Sequence, residues 1–373
     1  MKGVSDIQLY NPMNYICGKG VLFSIGKYAE TLGHKAFMIG TPESFRAAGE
    51  TIRGSLYAEN ILFQECLFSG YPTEKQALSY ASEIKEYGAD FLIAAGGGRV
   101  IDTAKYAASL AGKAIITVPT VSAANASYRR DSIIYTDLGQ YQKKAYNQRS
   151  PAYVIADSSI LAQQPIRYLK AGVIDTMVRW YESNPYVKWY GGDLHFQFSS
   201  GMARLLYEFF NQERDSVLKA FESGTASSLI SETVTRIIGL AGLSSNYQSK
   251  ISLQGFAHPF YNQVTRIRSS AKLLHGEVIG YGILGRLRLE GKDPDVIQGE
   301  WGRMYRYGFN YSLEDLGIFS GSQLDQLAEH LYHENLPAVL FLDHVQHASE
   351  IKEAILRVHD GVLQRRKEGN LIE

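Results

Sequence analysis

Short, β-branched apolar runs alternate with longer amphipathic stretches in the first part of the chain. The apolar runs that predict strands lie at 21–24, 36–39, 91–94, 115–118 and 154–156. The stretches at 74–87 and 101–111 repeat apolar residues at helical spacing, and Gly33, Gly88 and Gly112 are predicted to stop helices. This alternation is typical of parallel strands joined by crossover helices, so the pattern predicts an α/β domain.

The pattern changes further along the chain. Residues 132–142, SIIYTDLGQYQ, predict a hairpin that turns near Asp137 to Gly139. From about residue 162 helical patterns dominate, at 174–182, 194–214, 226–243, 275–289, 324–333 and 350–367. We therefore predict two domains, an α/β domain over 1–161 and an all-helical domain over 162–373.

Composition narrows the class of protein. The chain has 373 residues, of which 45% are hydrophobic and 20% charged, as in a globular enzyme. Lysine plus arginine and aspartate plus glutamate both total 38, so no global positive field favours a nucleic acid or an anionic membrane as partner. Cys17 and Cys66 are too few for a disulfide framework, and neither a signal peptide nor an apolar run of membrane-spanning length occurs. We expect a soluble, cytoplasmic protein.

A glycine triplet lies between a predicted strand and a predicted helix. In FLIAAGGGRVIDTAKYAA, Gly96, Gly97 and Gly98 would let phosphate oxygens approach backbone N–H groups at the positive end of the helix. The run is neither the Walker pattern GxxxxGK[ST] nor GxGxxG. The alternative is a tight turn without a ligand. Asp102 and Lys105, three residues apart, by themselves indicate a simple ion pair at the helix start, and the neighbouring triplet strengthens the alternative that they are part of the ligand site.

Three residues from distant motifs are candidates for one metal site. They are Asp175 in AGVIDTMVRWYES, His258 in GFAHPFYNQV and His275 in LLHGEVIGYGIL. Two nitrogens and one carboxylate oxygen around an open position suit Zn²⁺ or Fe²⁺ acting as a Lewis acid. Alternatively, Asp175 pairs with Arg179 at i,i+4 and the histidines are structural.

A second group of histidines lies nearer the end of the chain. His330 and His333, and then His344 and His347, are three residues apart within each pair. Because they lie among Glu, Gln and Asp and HExxH is absent, we interpret them as solvated surface residues.

Six motifs in this order identify a family resemblance. GGGRVIDTAK, VPTVSA, SIIYTD, AGVIDTMVRWYES, GFAHPFYN and LLHGEVIGYG resemble the glycerol dehydrogenase branch of the iron-containing alcohol dehydrogenase superfamily, whose fold is related to that of 3-dehydroquinate synthase. The resemblance covers most of the chain from about Tyr15. It implies a parallel-sheet dinucleotide-binding domain followed by an all-helical domain. It also implies a metal-dependent NAD(P) oxidoreductase acting on a small alcohol or carbonyl compound, and a homo-oligomer.

The resemblance also implies roles for matching residues. Asp175, His258 and His275 would bind the divalent metal, Zn²⁺ or else Fe²⁺, and so carry the catalysis. The residues implied for binding NAD or NADP are Gly96, Gly97, Gly98, Arg99, Asp102, Lys105, Thr120, Ser122 and Tyr135. A 3-dehydroquinate synthase-like lyase, or a dinucleotide-binding descendant without activity, remains the alternative to a dehydrogenase.

Departures from the family pattern bear on the substrate. Asn125 replaces an aspartate that touches polyol substrates, and Arg129 and Arg130 replace a small neutral segment. We hypothesise that one of these arginines binds the carboxylate of a 2-oxo or 2-hydroxy acid; the alternative is a solvated loop paired with Asp131. Tyr261 replaces the family's second helix histidine.

Two further details concern helix start and cofactor choice. Pro259 forces its helix to begin at about His258. Thr41 occupies the position after the second strand where an acid normally selects NAD, with Glu43 two residues later, so the sequence leaves NAD and NADP open.

Overall fold

A computed structural model describes residues 11–246, 255–268, 272–334 and 345–369. The chain divides into two compact units, each built from separate stretches. The sheet unit comprises Met1–Ile134, Lys143–Gln164 and Lys219–Gln248, and the helical unit comprises Tyr135–Gln142, Pro165–Leu218 and Ser249–Glu373. The sequence predicted one boundary, after residue 161. The chain instead passes between the units several times, once between residues 164 and 165.

Six parallel strands form the sheet of the sheet unit. They are β1 (Asn14–Gly18), β2 (Lys35–Gly40), β3 (Leu62–Leu67), β4 (Phe91–Gly96), β5 (Ala114–Pro119) and β8 (Tyr153–Asp157). Their order across the sheet is β1-β8-β5-β4-β2-β3. Two further strands, β6 (Asp131–Tyr135) and β7 (Tyr141–Tyr146), form the predicted hairpin.

Both faces of this sheet are covered, because alternate side chains of a strand point to opposite sides. In β4, Phe91 and Ile93 belong to one hydrophobic cluster, whereas Leu92 and Ala94 belong to another. A strand buried on both faces reads as a continuous apolar run, which is why FLIAA predicted a strand so clearly. The predicted α/β domain with a parallel sheet is confirmed.

One predicted strand is wrong. Residues Val21–Ser24 form a 3-10 helix, and the first strand is β1. The Asp157 carboxylate, at the end of β8, accepts hydrogen bonds from the backbone N–H groups of Gly20 (3.1 Å) and Leu22 (3.0 Å). These bonds stabilise the tight turn, so the short apolar run VLF packs as a turn rather than as a strand.

The sheet unit also contains helices. They are α1 (Ile25–Glu30), α2 (Pro42–Ser44), α3 (Glu50–Ala58), α4 (Glu74–Tyr87), α5 (Gly98–Ala111), α6 (Ser158–Leu161), α11 (Ser228–Val234) and α12 (Ala241–Asn246). Of these, α1 to α5 connect the strands and the others follow β8. π-helical turns at Phe45–Gly49 and Thr235–Leu240 join α2 to α3 and α11 to α12. Gly88 and Gly112 end α4 and α5 in the left-handed conformation, as predicted.

Helices form the core of the helical unit. They are α7 (Ile166–Ser183), α8 (Val187–Tyr190), α9 (Leu194–Gln212), α13 (Ala257–Ile267), α14 (His275–Leu289), α15 (Pro294–Arg306), α16 (Gly321–Glu334) and α17 (Ala348–Gly369). Within the short helix α10 (Arg214–Glu222), the chain leaves the helical unit after Leu218 and re-enters the sheet unit at Lys219. The central helix α14 packs against α7, α13, α15 and α17. None of the described helices is long and apolar enough to span a bilayer.

Candidate metal centre and cofactor turn

Three predicted ligands meet in the helical unit. Asp175 lies on α7, His258 lies in the first turn of α13, and His275 is the first residue of α14. One ligand atom from each side chain lies within 4.8 Å of the other two. The Asp175 Oδ1 atom is 3.3 Å from His275 Nε2 and 3.7 Å from His258 Nε2. The donor set fits a divalent cation that keeps an open coordination position.

Burial differs among the three ligands. The Asp175 side chain is 5% exposed, whereas those of His258 and His275 are 29% and 30% exposed. The carboxylate therefore forms the closed side of the centre and the imidazoles its accessible side. This arrangement suits a cation that must also receive a small molecule.

Close backbone packing brings these ligands together. A Cβ atom on Gly276 would lie 2.0 Å from the Ala171 carbonyl oxygen, so only glycine lets α14 approach α7 this closely. His275 precedes Gly276, and Asp175 follows Ala171 by one helical turn. The close approach of the two backbones therefore places the His275 imidazole beside the Asp175 carboxylate.

Glu182 orients His258 and was missed in the sequence. Its Oε2 atom lies 2.7 Å from His258 Nδ1, and its Oε1 atom accepts a 3.0 Å hydrogen bond from the His258 backbone N–H. A carboxylate on Nδ1 favours the tautomer whose Nε2 is free for a metal. Glu182 follows Asp175 by seven residues, which places both on one face of α7, and this spacing was the available signal.

The protonation states suit cation binding. Burial alone raises the pKa of the Asp175 carboxyl, but its hydrogen bond with His275 and the charge of Arg179 hold that pKa well below its ordinary value. Burial lowers the pKa of the His275 imidazole, although Asp175 opposes the effect. Burial likewise raises the pKa of the Glu182 carboxyl, but His258 and Arg286 lower it by more. The net result is a pKa below the ordinary value. Near neutral pH the centre therefore offers anionic carboxylates and a neutral His275.

Glu277 fixes the start of α14. Its side chain accepts hydrogen bonds from the Leu274 backbone N–H (2.7 Å) and the Tyr311 hydroxyl (2.7 Å). Arg167 donates to both Glu277 oxygens, over 2.6 Å and 2.8 Å. Because His275 lies between Leu274 and Glu277, this network holds the first turn that carries the ligand.

Tyr261 contacts the candidate metal ligand His275 directly. Its ring centroid lies 4.2 Å from that of His275, and the rings are nearly perpendicular at 86°. The Tyr261 hydroxyl is 3.2 Å from that of Tyr135, a residue predicted to bind the cofactor. In the helical unit, Tyr135 therefore belongs to the surroundings of the metal centre.

Pro259 is the third residue of α13, and the helix begins one residue before the predicted start at His258.

The glycine triplet forms the turn from β4 to α5 in the sheet unit. Gly96 has a φ of +155°, and a Cβ atom there would lie 2.9 Å from Val100 Cγ2, so a side chain is excluded. Gly97 is the N-cap of α5, and Gly98 is its first residue. The first N–H groups of a helix have no partner within it and attract anions. The Arg99 guanidinium lies 4.3 Å from the ring centroid of Tyr71.

Asp102 and Lys105 form a buried ion pair of 3.0 Å. Lys105 Nζ also donates to the backbone oxygens of Ala126 (2.8 Å), Arg129 (3.0 Å) and Asp131, and Asp102 accepts from the Ile133 N–H (3.2 Å). The pair therefore ties α5 to the 126–133 segment. This geometry favours the ion-pair alternative over direct contact with a ligand, and the cofactor role of both residues stays a prediction.

Other predicted cofactor and substrate residues line the segment after β5. The Thr120 N–H donates to the Gly96 carbonyl (3.2 Å), which joins the ends of β5 and β4. Ser122 is buried, and Gln164 Oε1 accepts a 2.7 Å hydrogen bond from its backbone N–H. The buried Asn125 side chain donates to Ser245 Oγ at 3.5 Å. Their contacts with ligands stay predictions.

Both candidate arginines are engaged within the sheet unit. Arg129 makes a two-pronged ion pair with Asp131, with an Nε to Oδ1 distance of 2.7 Å. The Nε atom of Arg130 donates to the backbone oxygen of Asn147, which in turn donates to the Arg130 carbonyl (2.7 Å). This geometry favours the predicted alternative, pairing with Asp131, although the loop is partly buried rather than solvated.

In the second histidine group, His333 and His347 are exposed, whereas His330 is partly buried. His333 Nε2 lies 3.2 Å from Glu329 on the exposed side of α16, as the surface interpretation expected. His344 lies outside the described residues.

Comparison with known proteins adds an independent line of support. Residues 12–158 match the family model described as iron-containing alcohol dehydrogenase. The chain is 27% identical to a glycolaldehyde reductase of Halobacterium salinarum over 84% of this chain and 86% of the relative. It is 24% identical to a glycerol dehydrogenase of Citrobacter freundii over 83% and 85%. A probable glycerol dehydrogenase from Sinorhizobium meliloti superimposes with a TM-score of 0.83, covering 96% of this chain and all of that one at 22% identity.

A parallel sheet with a glycine turn and a centre of two histidines and one carboxylate are components of a metal-dependent dehydrogenase. The structural likeness confirms the fold predicted from the motifs. The chain is similar to glycerol dehydrogenases of the iron-containing alcohol dehydrogenase superfamily, whose family model matches residues 12–158, and it is an oxidoreductase. These relatives give no support to the lyase alternative.

Proposed function

We propose that the chain transfers hydride between NAD(P) and a small neutral alcohol or carbonyl compound, with a divalent cation at Asp175, His258 and His275. One observation carries the proposal: the three ligand atoms lie within 4.8 Å of one another. Zn²⁺ is the proposed ion, and Fe²⁺ is the alternative, because both accept imidazole nitrogen and carboxylate oxygen.

When bound, the cation would polarise a substrate oxygen, and the nicotinamide would carry the hydride. The protein's own residues position these groups. Asp175 supplies a buried negative charge that offsets part of the cation's charge. The Glu182 carboxylate accepts a hydrogen bond from the His258 Nδ1–H and thereby leaves the Nε2 lone pair free for the ion. Most of the protein's contribution is thus electrostatic and positional.

For the dinucleotide, we propose the glycine turn as the pyrophosphate site. Gly96, Gly97 and Gly98 leave room for phosphate oxygens, and the first N–H groups of α5 can donate to them. The buried ion pair beneath the turn supports a positioning role for Asp102 and Lys105, since it anchors α5 to the segment that follows β5.

We propose that the substrate is neutral, as in the names of the glycolaldehyde reductase and glycerol dehydrogenase relatives. The ion pair of Arg129 with Asp131 and the hydrogen bonds of Arg130 with Asn147 support this choice over a 2-oxo acid. Asn125, which carries no charge, remains the proposed contact for a substrate hydroxyl.

A direct test supplies zinc to the purified chain and follows oxidation of NADH and NADPH with glycolaldehyde, hydroxyacetone and pyruvate. We expect turnover with the two neutral compounds and much less with pyruvate. Asp175→Asn should lose bound zinc and lower kcat/KM by at least about 100-fold, because it removes the anionic ligand.

His333→Gln is the matched control, because it removes a histidine of the exposed second group. It should leave zinc content and turnover unchanged. Zinc content and turnover of Asp175→Asn equal to those of His333→Gln would refute the assignment of the centre. Faster reduction of pyruvate than of glycolaldehyde would refute the neutral substrate.

We also propose a cytoplasmic homo-oligomer. Cys17 and Cys66 are free cysteines, which supports a reducing compartment. Light scattering coupled to size exclusion tests the assembly, and a mass of 41.6 kDa, that of one chain, would contradict it.

A further inference from the structure

The two histidines of the candidate metal centre are held in different ways. The Glu182 carboxylate lies 2.7 Å from Nδ1 of His258. Among the residues that the structure describes, no polar atom makes a corresponding hydrogen bond with Nδ1 of His275. A histidine that binds a metal usually donates its second ring nitrogen to a carboxylate, a carbonyl or water, and this bond fixes the orientation of its ring. The described residues instead place an aromatic ring against His275.

Tyr261 supplies this ring. Its centroid lies 4.2 Å from that of His275, and the two rings are nearly perpendicular, at 86°. Perpendicular contact between aromatic rings is favourable, because the positive edge of one ring meets the negative face of the other. Tyr261 follows His258 by three residues on α13, so both side chains lie on the same face of that helix. One helix face therefore carries one candidate ligand and contacts another.

The hydroxyl end of Tyr261 is anchored as well. It lies 3.2 Å from the hydroxyl of Tyr135, which belongs to the hairpin of β6 and β7. The hairpin is itself attached to α13, because the Tyr141 N–H donates a 2.9 Å hydrogen bond to Thr265 Oγ1. The Tyr261 residue is only 7% exposed. Burial and the hydrogen bond with Tyr135 therefore restrict movement of the Tyr261 ring away from His275.

We propose that Tyr261 is a positioning residue of the metal centre, which holds the His275 ring in the orientation that directs Nε2 toward Asp175 and the cation. The proposal rests on the proposed function, since it concerns the metal of that site. The ring contact has for His275 the function that the Glu182 hydrogen bond has for His258. A ring contact is weaker than a charge-assisted hydrogen bond, so its loss should cost less metal affinity than the loss of Glu182.

The experiment compares zinc affinity among variants of the full chain, measured by competition with a chromogenic chelator. Tyr261→Leu removes the ring and should raise the Kd for zinc by about three- to tenfold, the size of an aromatic pair contact. Tyr261→Phe keeps the ring and should stay within about twofold of the wild type. With Co²⁺ in place of zinc, Tyr261→Leu should also change the visible absorption bands, because these bands report the geometry of the ligands.

Phe260→Leu is the matched control, because it makes the same kind of change one residue earlier in α13. Phe260 is fully buried and stacks on Tyr281, with the ring centroids 5.5 Å apart. This variant should lose stability in urea denaturation, yet keep the zinc affinity and the cobalt bands of the wild type. If Tyr261→Leu does not fold, Tyr261→Met takes its place with the same expected result, because its flexible side chain fills irregular gaps.

Two outcomes would overturn the proposal. One is an equal Kd for zinc in Tyr261→Leu and Phe260→Leu. The other is a loss of zinc affinity in Tyr261→Phe as large as that in Tyr261→Leu, which would assign the effect to the hydroxyl and not to the ring. If the wild type binds zinc, both outcomes leave the proposed function intact. If the wild type binds no zinc, the proposed function fails together with the role of Tyr261.

Discussion

The substitution Gly276→Ala adds one carbon atom and tests whether close packing of α7 and α14 assembles the candidate metal centre. In Gly276→Ala, the new Cβ atom would lie 2.0 Å from the Ala171 carbonyl oxygen, whereas real Cβ atoms keep at least 3.0 Å from such atoms. The backbones of α7 and α14 therefore have to separate by about 1 Å, because neither contact atom belongs to a flexible side chain. That movement would carry His275 away from Asp175.

For Gly276→Ala we expect a change in the free energy of unfolding and a change in kcat/KM. Overpacking of this kind costs about 1–3 kcal/mol of the free energy of unfolding. A displacement of about 1 Å in a positioned catalytic group lowers kcat/KM by roughly 100-fold. We therefore expect a modest loss of stability in urea denaturation, together with weaker zinc binding in competition with a chromogenic chelator and a large loss of activity.

Gly285→Ala is the matched control on the same helix. Its Cβ atom would lie 3.4 Å from Phe256 Cε1, an ordinary van der Waals contact. Alanine is favoured over glycine inside a helix, so this variant should be as stable as the wild type or about 0.5–1 kcal/mol more stable. Equal zinc affinity in Gly276→Ala and Gly285→Ala would refute the view that backbone contact positions the ligands.

Two further predictions concern buried carboxylates. Glu182→Gln should weaken zinc binding by about 10–100-fold, because it removes the anion that orients His258. Glu208→Gln, on an exposed helix face, is the control and should leave zinc binding unchanged. An unchanged zinc affinity of Glu182→Gln in chelator competition would contradict the role of Glu182. Asp131→Asn should cost about 2–4 kcal/mol at pH 7 in urea denaturation. Its buried carboxyl has a lowered pKa because Arg129 and Lys144 outweigh the effect of burial, so its stabilisation is complete above the unfolded pKa of about 4 and is lost as pH falls. The wild type should therefore lose more stability than Asp131→Asn on acidification, and parallel pH curves would contradict the sign.

The strands and helices with clear periodicity could be predicted from sequence. Helix α4 has the predicted bounds, Glu74–Tyr87, since its apolar spacing lies between a threonine cap and Gly88. Strand β3 was missed because it forms the exposed edge of the sheet and mixes polar with apolar residues. Residues 21–24 misled the prediction because their turn depends on Asp157, which is distant in sequence.

In the candidate site, likewise, some residues could be predicted from the sequence and others could not. Family motifs were sufficient to select Asp175, His258 and His275, which the helical unit brings together. Glu182 and Glu277 were not found, because their roles depend on how α7, α13 and α14 pack, and an isolated glutamate on a helix reads as a solvated charge. Glu182 could have been found from its spacing of seven residues from Asp175, which places the two carboxylates on one face of a helix.

The interleaved course of the chain has a consequence for its synthesis. The sheet unit includes the helical run from Ser228, which contacts its earliest strand: the Tyr15 hydroxyl donates to Thr235 Oγ1 at 3.4 Å, and Cys17 Sγ donates to the Ser231 carbonyl at 3.5 Å. On the ribosome, β1 therefore waits for more than 200 further residues before this neighbour emerges. A fragment that stops after residue 161 lacks that cover for its first strand, so we expect it to aggregate during expression.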